Sequence, residues 1–409
     1  MTVTGGMQSA ALAREPAHTR TLRGRAAVVG LGQTAYYRHG EAPHAESRLT
    51  LEAIMNACTD AGIAPTDIDG FSSYADDRSN GWRMASALGC RELRYSNMVW
   101  GGGGGGVAAA LQNAAAAVAA GLADCVVVYR GLAQGQFGRF GRGNASLQVR
   151  GEKAHTAPYG LLSAPHLFGM KVMRFMHDHG VQQSALRAVS MASYHHAQTN
   201  PRAMMYGRPL TEATYDASRW IVEPFRLYDC CQENDAAAAL LVVPAERARD
   251  HPHRPCYVLA AASGGSYRAA ARVHNTPDYA SAHFRTVARR AFDMARIGPT
   301  DVDVLQCYDA FTGGVLMAMV EHGFCEADAI NAFFSLDNLT LPHGRLPLNT
   351  SGGNLAECYV HGLSLVIEAV RQIRGDSPNQ VPGAEISMMI GGPMSTLVSN
   401  CIFGAESTL

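Results

Sequence analysis

One stretch of this chain occurs twice. Ala61-Gly-Ile-Ala-Pro-Thr-Asp-Ile-Asp-Gly-Phe71 returns as Ala295-Arg-Ile-Gly-Pro-Thr-Asp-Val-Asp-Val-Leu305, with the Ala, Ile, Pro, Thr and both Asp positions kept. Internal duplication constrains a fold strongly, because each copy must make the same local structure and the two must share a core. Each copy follows a segment of helical apolar spacing, roughly 49–61 and 283–295, and leads into a short apolar run ending at Tyr74 in one and Tyr308 in the other. Proline stops the helix, and the Thr-Asp pair starts the turn that follows it.

A second correspondence extends the duplication. Gly101 to Gly106 opens an Ala-rich helix reaching about residue 120, followed by the apolar strand Asp124 to Tyr129; Ser351-Gly-Gly353 precedes a helix near 360–373, followed by the strand Glu385 to Ile390. Strands that are continuously apolar are covered by helices on both faces. Strand and helix alternating in two copies therefore predict an α/β protein of two similar halves. We expect a disordered tail at 1–25, a first half at 26–255 and a second at 256–409. Residues 132–215 differ in character, being polar and rich in Gly, His, Met and Arg, with helical stretches near 168–179 and 183–198. They read as an insertion over the active-site face, long enough to help hold a large ligand.

Composition removes several classes of function. With 47% hydrophobic residues the 409-residue chain can bury a large core, and a net charge of -1 without any basic block gives no footprint for nucleic acid or an anionic membrane. The ten cysteines lack Cys-x-x-Cys spacing and the sixteen histidines lack His-x-x-x-His or His-Glu-x-x-His spacing, so no metal is expected on this chain. Residues 1–25 contain no secretory apolar segment and no run reaches membrane-spanning length. A soluble cytoplasmic protein with reduced thiols is the expectation.

The glycine run allows two readings: a tight turn against packed helices, or backbone amides at a helix start facing an anion or a developing oxyanion. It contains no Gly-x-x-x-x-Gly-Lys-Ser/Thr, which excludes an ATPase-type phosphate loop. Cys307-Tyr308-Asp309-Ala-Phe-Thr312 stands at the end of an apolar strand, and Asn349-Thr-Ser-Gly-Gly-Asn-Leu-Ala-Glu-Cys-Tyr359-Val-His361-Gly362 leads into another helix. A single tyrosine at a strand end is usually structural. Two at equivalent positions are candidate site residues, because ligands gather at the carboxyl ends of strands in open α/β sheets.

From about Arg25 to the C-terminus the chain resembles the thiolase superfamily. The likeness is to sterol-carrier-protein-x-type thiolases, and among them to the actinobacterial lipid-transfer-protein aldolases of steroid side-chain degradation. It is carried by Ala26-Ala-Val-Val-Gly-Leu-Gly-Gln-Thr34, Arg219-Trp-Ile-Val-Glu-Pro-Phe-Arg-Leu-Tyr-Asp-Cys-Cys-Gln-Glu-Asn-Asp235, and the Tyr-Asp-Ala-Phe-Thr and Gly-Gly-x-x-x-x-x-Tyr-Val-His-Gly motifs. The resemblance implies a thiolase fold: two similar halves with mixed five-stranded sheets in an α-β-α-β-α layering.

The departures from a working thiolase are specific. The position of the nucleophilic cysteine falls in the glycine run, near Gly104; the histidine of a His-Asp-x-Phe motif is Tyr308; the histidine of a Gly-His-Pro motif is Tyr359; and Met389 stands where a reactive cysteine precedes Gly391-Gly392. Claisen chemistry has lost its machinery, whereas a retro-aldol cleavage needs no acyl-enzyme. It needs a base for a β-hydroxyl proton, stabilisation of a thioester enolate and an acid for its carbon. Tyr308 and Tyr359 are the expected acid/base pair, their order open. Amides at Gly104, Gly352, Gly353, Gly391 and Gly392 are the expected stabilisers, with Asp309 and His361 as supporting groups.

The resemblance implies a β-hydroxyacyl-CoA substrate of steroid side-chain type, cleaved to a ketone and propionyl-CoA, with no cofactor on this chain. It also implies a homodimer and a small zinc-ribbon/OB-fold partner that carries any zinc. Two other readings stay open: a thiolase using Cys307 or Cys358, and a non-catalytic acyl-CoA- or sterol-binding subunit.

Overall fold

The structure, a computed structural model, describes residues 21–75, 77–137, 149, 151–265 and 278–409. Its first half runs β1 (Ala26–Gln33), α1 (Glu46–Ala61), β2 (Gly70–Tyr74), β3 (Tyr95–Val99), α2 (Val107–Ala119) and β4 (Val126–Ala133); α3 (Ala164–His179) and α4 (Gln183–Ala197) then precede β5 (Asn234–Pro244). The second half runs β6 (Cys256–Gly264), α5 (Arg285–Ala295), β7 (Val304–Cys307), α6 (Thr312–Glu321), α7 (Leu363–Arg374), β8 (Ile386–Gly391) and β9 (Val398–Gly404). The two repeat copies fold alike. α1 ends at left-handed Gly62 and α5 at left-handed Arg296, and Pro65–Asp67 and Pro299–Asp301 each make one 3-10 turn before β2 and β7.

Strand order is β7-β8-β9-β6-β1-β5-β4-β2-β3, a single path in which each half keeps its own sheet and the two join where Ala27 pairs with Tyr257 and Val28 with Cys256. In the first half β2 is parallel to β3 and β4, while β4, β5 and β1 alternate antiparallel. The second half repeats this with β7 parallel to β8, then β9 and β6 antiparallel. The expected fifth strand of that half is reduced to one parallel bridge, Leu305 with Leu348. The cause is local: Pro342 and Pro347 cannot donate to a ladder, and Asn349 turns away at φ 52°.

Burial follows the predicted layering. α1 packs on the outer face of the first sheet. α2 and α7 lie between the sheets and bury nearly every side, α2 because its alanines keep it narrow. α5 and α6 cover the outer face of the second sheet, and α3 and α4, from the segment read as an insertion, pack onto that same layer through Val172, Phe175, Leu186 and Val189. Among the described residues no helix is long and apolar enough to cross a membrane.

Of the expected 1–25 tail, residues 1–20 lie outside the described residues, whereas 21–25 are tied down: the Arg23 guanidinium donates to the Ala295 and Thr408 carbonyls and Gly24 N to Val258 O.

α1 can lie this close to β1 because the strand carries Gly30 and Gly32. A Cβ on Gly32 would stand 2.0 Å from Ala53 O and 2.4 Å from Ala57 N, both backbone atoms of α1. Gly32→Ala is therefore expected to destabilise the protein by about 1–3 kcal/mol through overpacking, read as a lower denaturation midpoint with an unchanged slope.

Candidate active site

The site forms where β7 ends. Tyr308 N donates to Ile390 O at 2.8 Å, continuing the parallel ladder by one bond. On its other side Cys307 has no neighbouring strand, and the Asn349 side chain supplies one: Oδ1 accepts from Cys307 N at 2.7 Å and Nδ2 donates to Cys307 O at 2.9 Å. An asparagine fits because it tolerates positive φ and its amide mimics a peptide group. This clamp fixes the backbone from which Tyr308 projects.

Tyr359 is placed by a different device. The short helix Gly353–Ala356 points its N-terminus at the buried Asp309 carboxylate, which accepts from Asn354 N at 2.8 Å and from Ser193 Oγ at 3.3 Å. Burial pushes the Asp309 carboxyl up to about 6, against the hydrogen bonds from Asn354 and Leu355 that favour its charge. Gly353, at φ 63°, admits this approach, since a Cβ there would stand 2.3 Å from Asp309 Oδ2. Beyond the helix Tyr359 N donates to Asn234 Oδ1 at 3.1 Å, anchoring the tyrosine to β5.

The two phenols meet: Tyr308 OH and Tyr359 OH are 2.8 Å apart, with both residues buried. Burial raises both hydroxyls well above the ordinary phenol range, and for Tyr308 the neighbouring Tyr359 adds to the rise. Gly104 lies directly against this pair. A Cβ on Gly104 would sit 2.0 Å from Tyr308 Cε2 and 2.6 Å from its hydroxyl. Gly391 and Gly392 pack backbone to backbone on the same run: a Cβ on Gly392 would stand 2.3 Å from Gly105 N, and one on Gly391 3.1 Å from Gly104 O.

Tyr308, Tyr359, Gly104, Gly391 and Gly392 thus come together, and His361 joins them, its ring edge-on to Tyr359 with centres 5.3 Å apart. Gly352 and Gly353 sit elsewhere. The Gly352 amide donates to Asn349 O at 2.9 Å and Gly353 faces Asp309, so both belong to the support behind the tyrosines. Cys307 and Cys358 are fully buried, and burial holds both thiols well above their ordinary range.

Sequence reasoning missed Arg130, Asp77 and Asn234. Arg130 lies in β4 yet is buried; its Nη1 pairs with Asp77 Oδ2 at 3.0 Å and its Nε donates to His361 Nδ1 at 3.2 Å. The signal was present, because an arginine following Val126-Val-Val-Tyr129 in a continuously apolar strand must be paired if it is buried. Tyr74, the repeat counterpart of Tyr308, donates its hydroxyl to His361 O at 3.0 Å.

The Gly104 contact yields a direct expectation. Gly104→Cys restores the residue a thiolase would carry but forces Tyr308 out of place. Catalysis should fall at least about a hundredfold, the usual scale for losing a positioned proton donor or acceptor, and intact-protein mass should show no stable acyl adduct on the new thiol.

With this geometry in view, likenesses to known proteins become specific. Residues 265–404 match the family described as thiolase C-terminal domain-like. The chain is 36% identical over 396 residues to a steroid side-chain-cleaving aldolase of Thermomonospora curvata, covering 94% of this chain and 99% of that one. It is 38% identical over 387 residues to the 17-hydroxy-3-oxo-4-pregnene-20-carboxyl-CoA lyase of Mycobacterium tuberculosis, covering 92% and 99%. Among solved structures, the Ltp2-ChsH2(DUF35) aldolase superposes with a TM-score of 0.87 at 34% identity, covering 95% of this chain and all of the other. Human mitochondrial 3-ketoacyl-CoA thiolase, at 12% identity and a TM-score of 0.67, shares the fold alone. Near-complete coverage at this identity, on a sheet order that repeats in two halves, means that this chain belongs to the thiolase superfamily, in one family with these aldolases.

Proposed function

We propose that this chain is a carbon-carbon lyase: a retro-aldolase that cleaves a β-hydroxyacyl-CoA of steroid side-chain type to a ketone and propionyl-CoA. The observation that carries this reading is the 2.8 Å contact between Tyr308 and Tyr359 over Gly104, which puts no side chain where a thiolase's nucleophile would stand. Relatives of more than 35% identity named for steroid side-chain cleavage and for a pregnene carboxyl-CoA lyase support the substrate class.

The proton balance closes within the pair. In the reactive state one tyrosine is a phenolate and the other a phenol. The phenolate takes the tertiary hydroxyl proton; the bond between the hydroxyl carbon and the thioester α-carbon breaks, releasing the ketone; and the phenol gives its proton to the enolate carbon. Charge has then changed places, and one transfer along the 2.8 Å hydrogen bond resets the site. At a reference pKa of about 10, ionising a phenol at pH 7 costs roughly 4 kcal/mol, and burial adds to that, so the base needs compensation from its surroundings. The enolate oxygen is assigned to the glycine run around Gly104, which lies against the Tyr308 ring, and to Gly391-Gly392, packed on that run.

The rest of the assignment follows the same lines. The substrate is a CoA thioester and no cofactor is assigned to this chain. A DUF35 partner suits it, by likeness to the solved aldolase whose name includes one; we assign that partner a zinc ribbon and an OB fold, and any zinc to it. A homodimer is favoured by β3, which ends the sheet, and by Trp82 and Trp100 beside it, 56% and 77% exposed. Ten free thiols suit a reducing cytoplasm.

The test is incubation of the chain, with and without a DUF35 partner, with a tertiary β-hydroxyacyl-CoA, products being followed by mass. Ketone and propionyl-CoA are expected. Tyr308→Phe and Tyr359→Phe should each lower kcat by about a hundredfold or more with little change in KM, and a near-normal rate in either removes that residue from the mechanism. Ligand binding without turnover under every condition would favour a non-catalytic subunit. The thiolase alternative predicts that thiol alkylation abolishes activity; burial of Cys307 and Cys358 argues that activity survives it.

A further inference from the structure

We propose that Arg130 is the positioning residue that sets the charge of this site: it holds His361 as a neutral imidazole protonated on Nε2, and its cation steadies the negative charge of the tyrosine pair. This rests on the aldolase reading above and adds to it the source of the charge that steadies the phenolate.

The argument begins with an acceptor. Arg130 Nε donates to His361 Nδ1 at 3.2 Å, and a guanidinium does not deprotonate in a protein. Nδ1 must therefore be bare, which puts the ring's proton on Nε2. Protonating Nδ1 would break that bond and set a second cation against Arg130 in a buried site, and His361 is accordingly held well below its usual range by burial and by Arg130. His361 is thus a fixed donor, unable to serve as the general base at neutral pH.

Both ends of this contact are clamped. Arg130 Nη1 donates to Asp77 Oδ2 at 3.0 Å and to Tyr74 O at 3.1 Å, while Asp77 also accepts from Ser79 N and Gly131 N. His361 sits at φ 46°, a conformation seldom adopted by a residue with a side chain, and its carbonyl accepts from Tyr74 OH. Strain of this kind persists where surroundings over-determine it. The clamped ring stands against Tyr359.

The hydrogen bond from Tyr308 and the Arg130 cation favour a phenolate at Tyr359, while Cys231 opposes ionisation of both phenols and Asp309 that of Tyr308. Arg130 faces Asp77 on the segment after β2 and Tyr74 on β2; Glu46 on α1, itself paired with Arg78, lies near Asp77, and the Arg78 charge acts on His361.

The experiment is the pH profile of kcat/KM for the complete enzyme with its partner, comparing Arg130→Gln, Arg130→Lys and Asp77→Asn with the parent. The acid limb reports the base in the free enzyme. Arg130→Gln should move that limb up by at least one pH unit, about a tenfold loss at pH 7 that recovers as pH rises, with KM little changed. Arg130→Lys should restore part of the shift, and Asp77→Asn, which unmasks the cation, should move the limb down. If Arg130→Gln does not fold, the Arg130→Gln/Asp77→Asn double variant removes both buried charges and should still show the upward shift. A loss of rate that persists above the variant's own limb, or limbs that do not move, overturns the proposal. Failure of the aldolase reading looks different: the parent enzyme itself releases no ketone.

Discussion

A side chain at position 104 and a phenol at position 308 cannot share the same space. A Cβ on Gly104 would overlap the Tyr308 ring at 2.0 Å, so the glycine and the tyrosine imply each other. The rest of the site is arranged around that exclusion. With the nucleophile's place filled by a phenol edge, the second phenol can approach to 2.8 Å, and Gly362, where a Cβ would stand 2.7 Å from Tyr308 Cδ2, keeps the other flank clear. A fold whose familiar chemistry runs through an acyl-enzyme is left with a buried pair of hydrogen-bonded phenols.

Holding two hydroxyls in that contact requires support from both halves. Tyr308 is fixed by the last bond of the β7–β8 ladder and by the Asn349 clamp, and Tyr359 by Asn234 from the opposite half. Asp309 ties the short helix Gly353–Ala356 to the end of β7, so the tyrosines are positioned relative to each other through one carboxylate. Arg130 arrives from the first half and Tyr74 from the strand equivalent to β7. The duplication visible in the sequence is therefore also the geometry of the site: each half brings its own strand end, and the chemistry lies between them.

Much of this was legible in the chain itself. The Pro-Thr-Asp repeats located α1, β2, α5 and β7, the apolar runs located β4 and β8, and the tyrosines and glycines of the site stood in motifs that could be named. What was not legible was long-range and polar. Nothing local to Gly352 and Gly353 reveals that the first bonds to Asn349 O and the second faces Asp309, both away from the phenols. Arg130 became readable only with its partners, which lie far from it in sequence. The missing fifth strand of the second half was obscured because Asn349 replaces a strand's hydrogen bonds with those of its side chain, a substitution no periodicity records. Residues 21–25 read as tail because their anchors, Ala295, Thr408 and Val258, are distant.

The account stands on cleavage through a free enolate rather than an acyl-enzyme. Its most direct test is turnover of a tertiary β-hydroxyacyl-CoA in deuterium oxide by the enzyme with its partner, with the mass of both products and of the protein read together. The account predicts a ketone, propionyl-CoA carrying one deuteron on the carbon next to the thioester, and a protein of unchanged mass. A propionyl group found on the protein, or substrate recovered intact after prolonged binding, would contradict it.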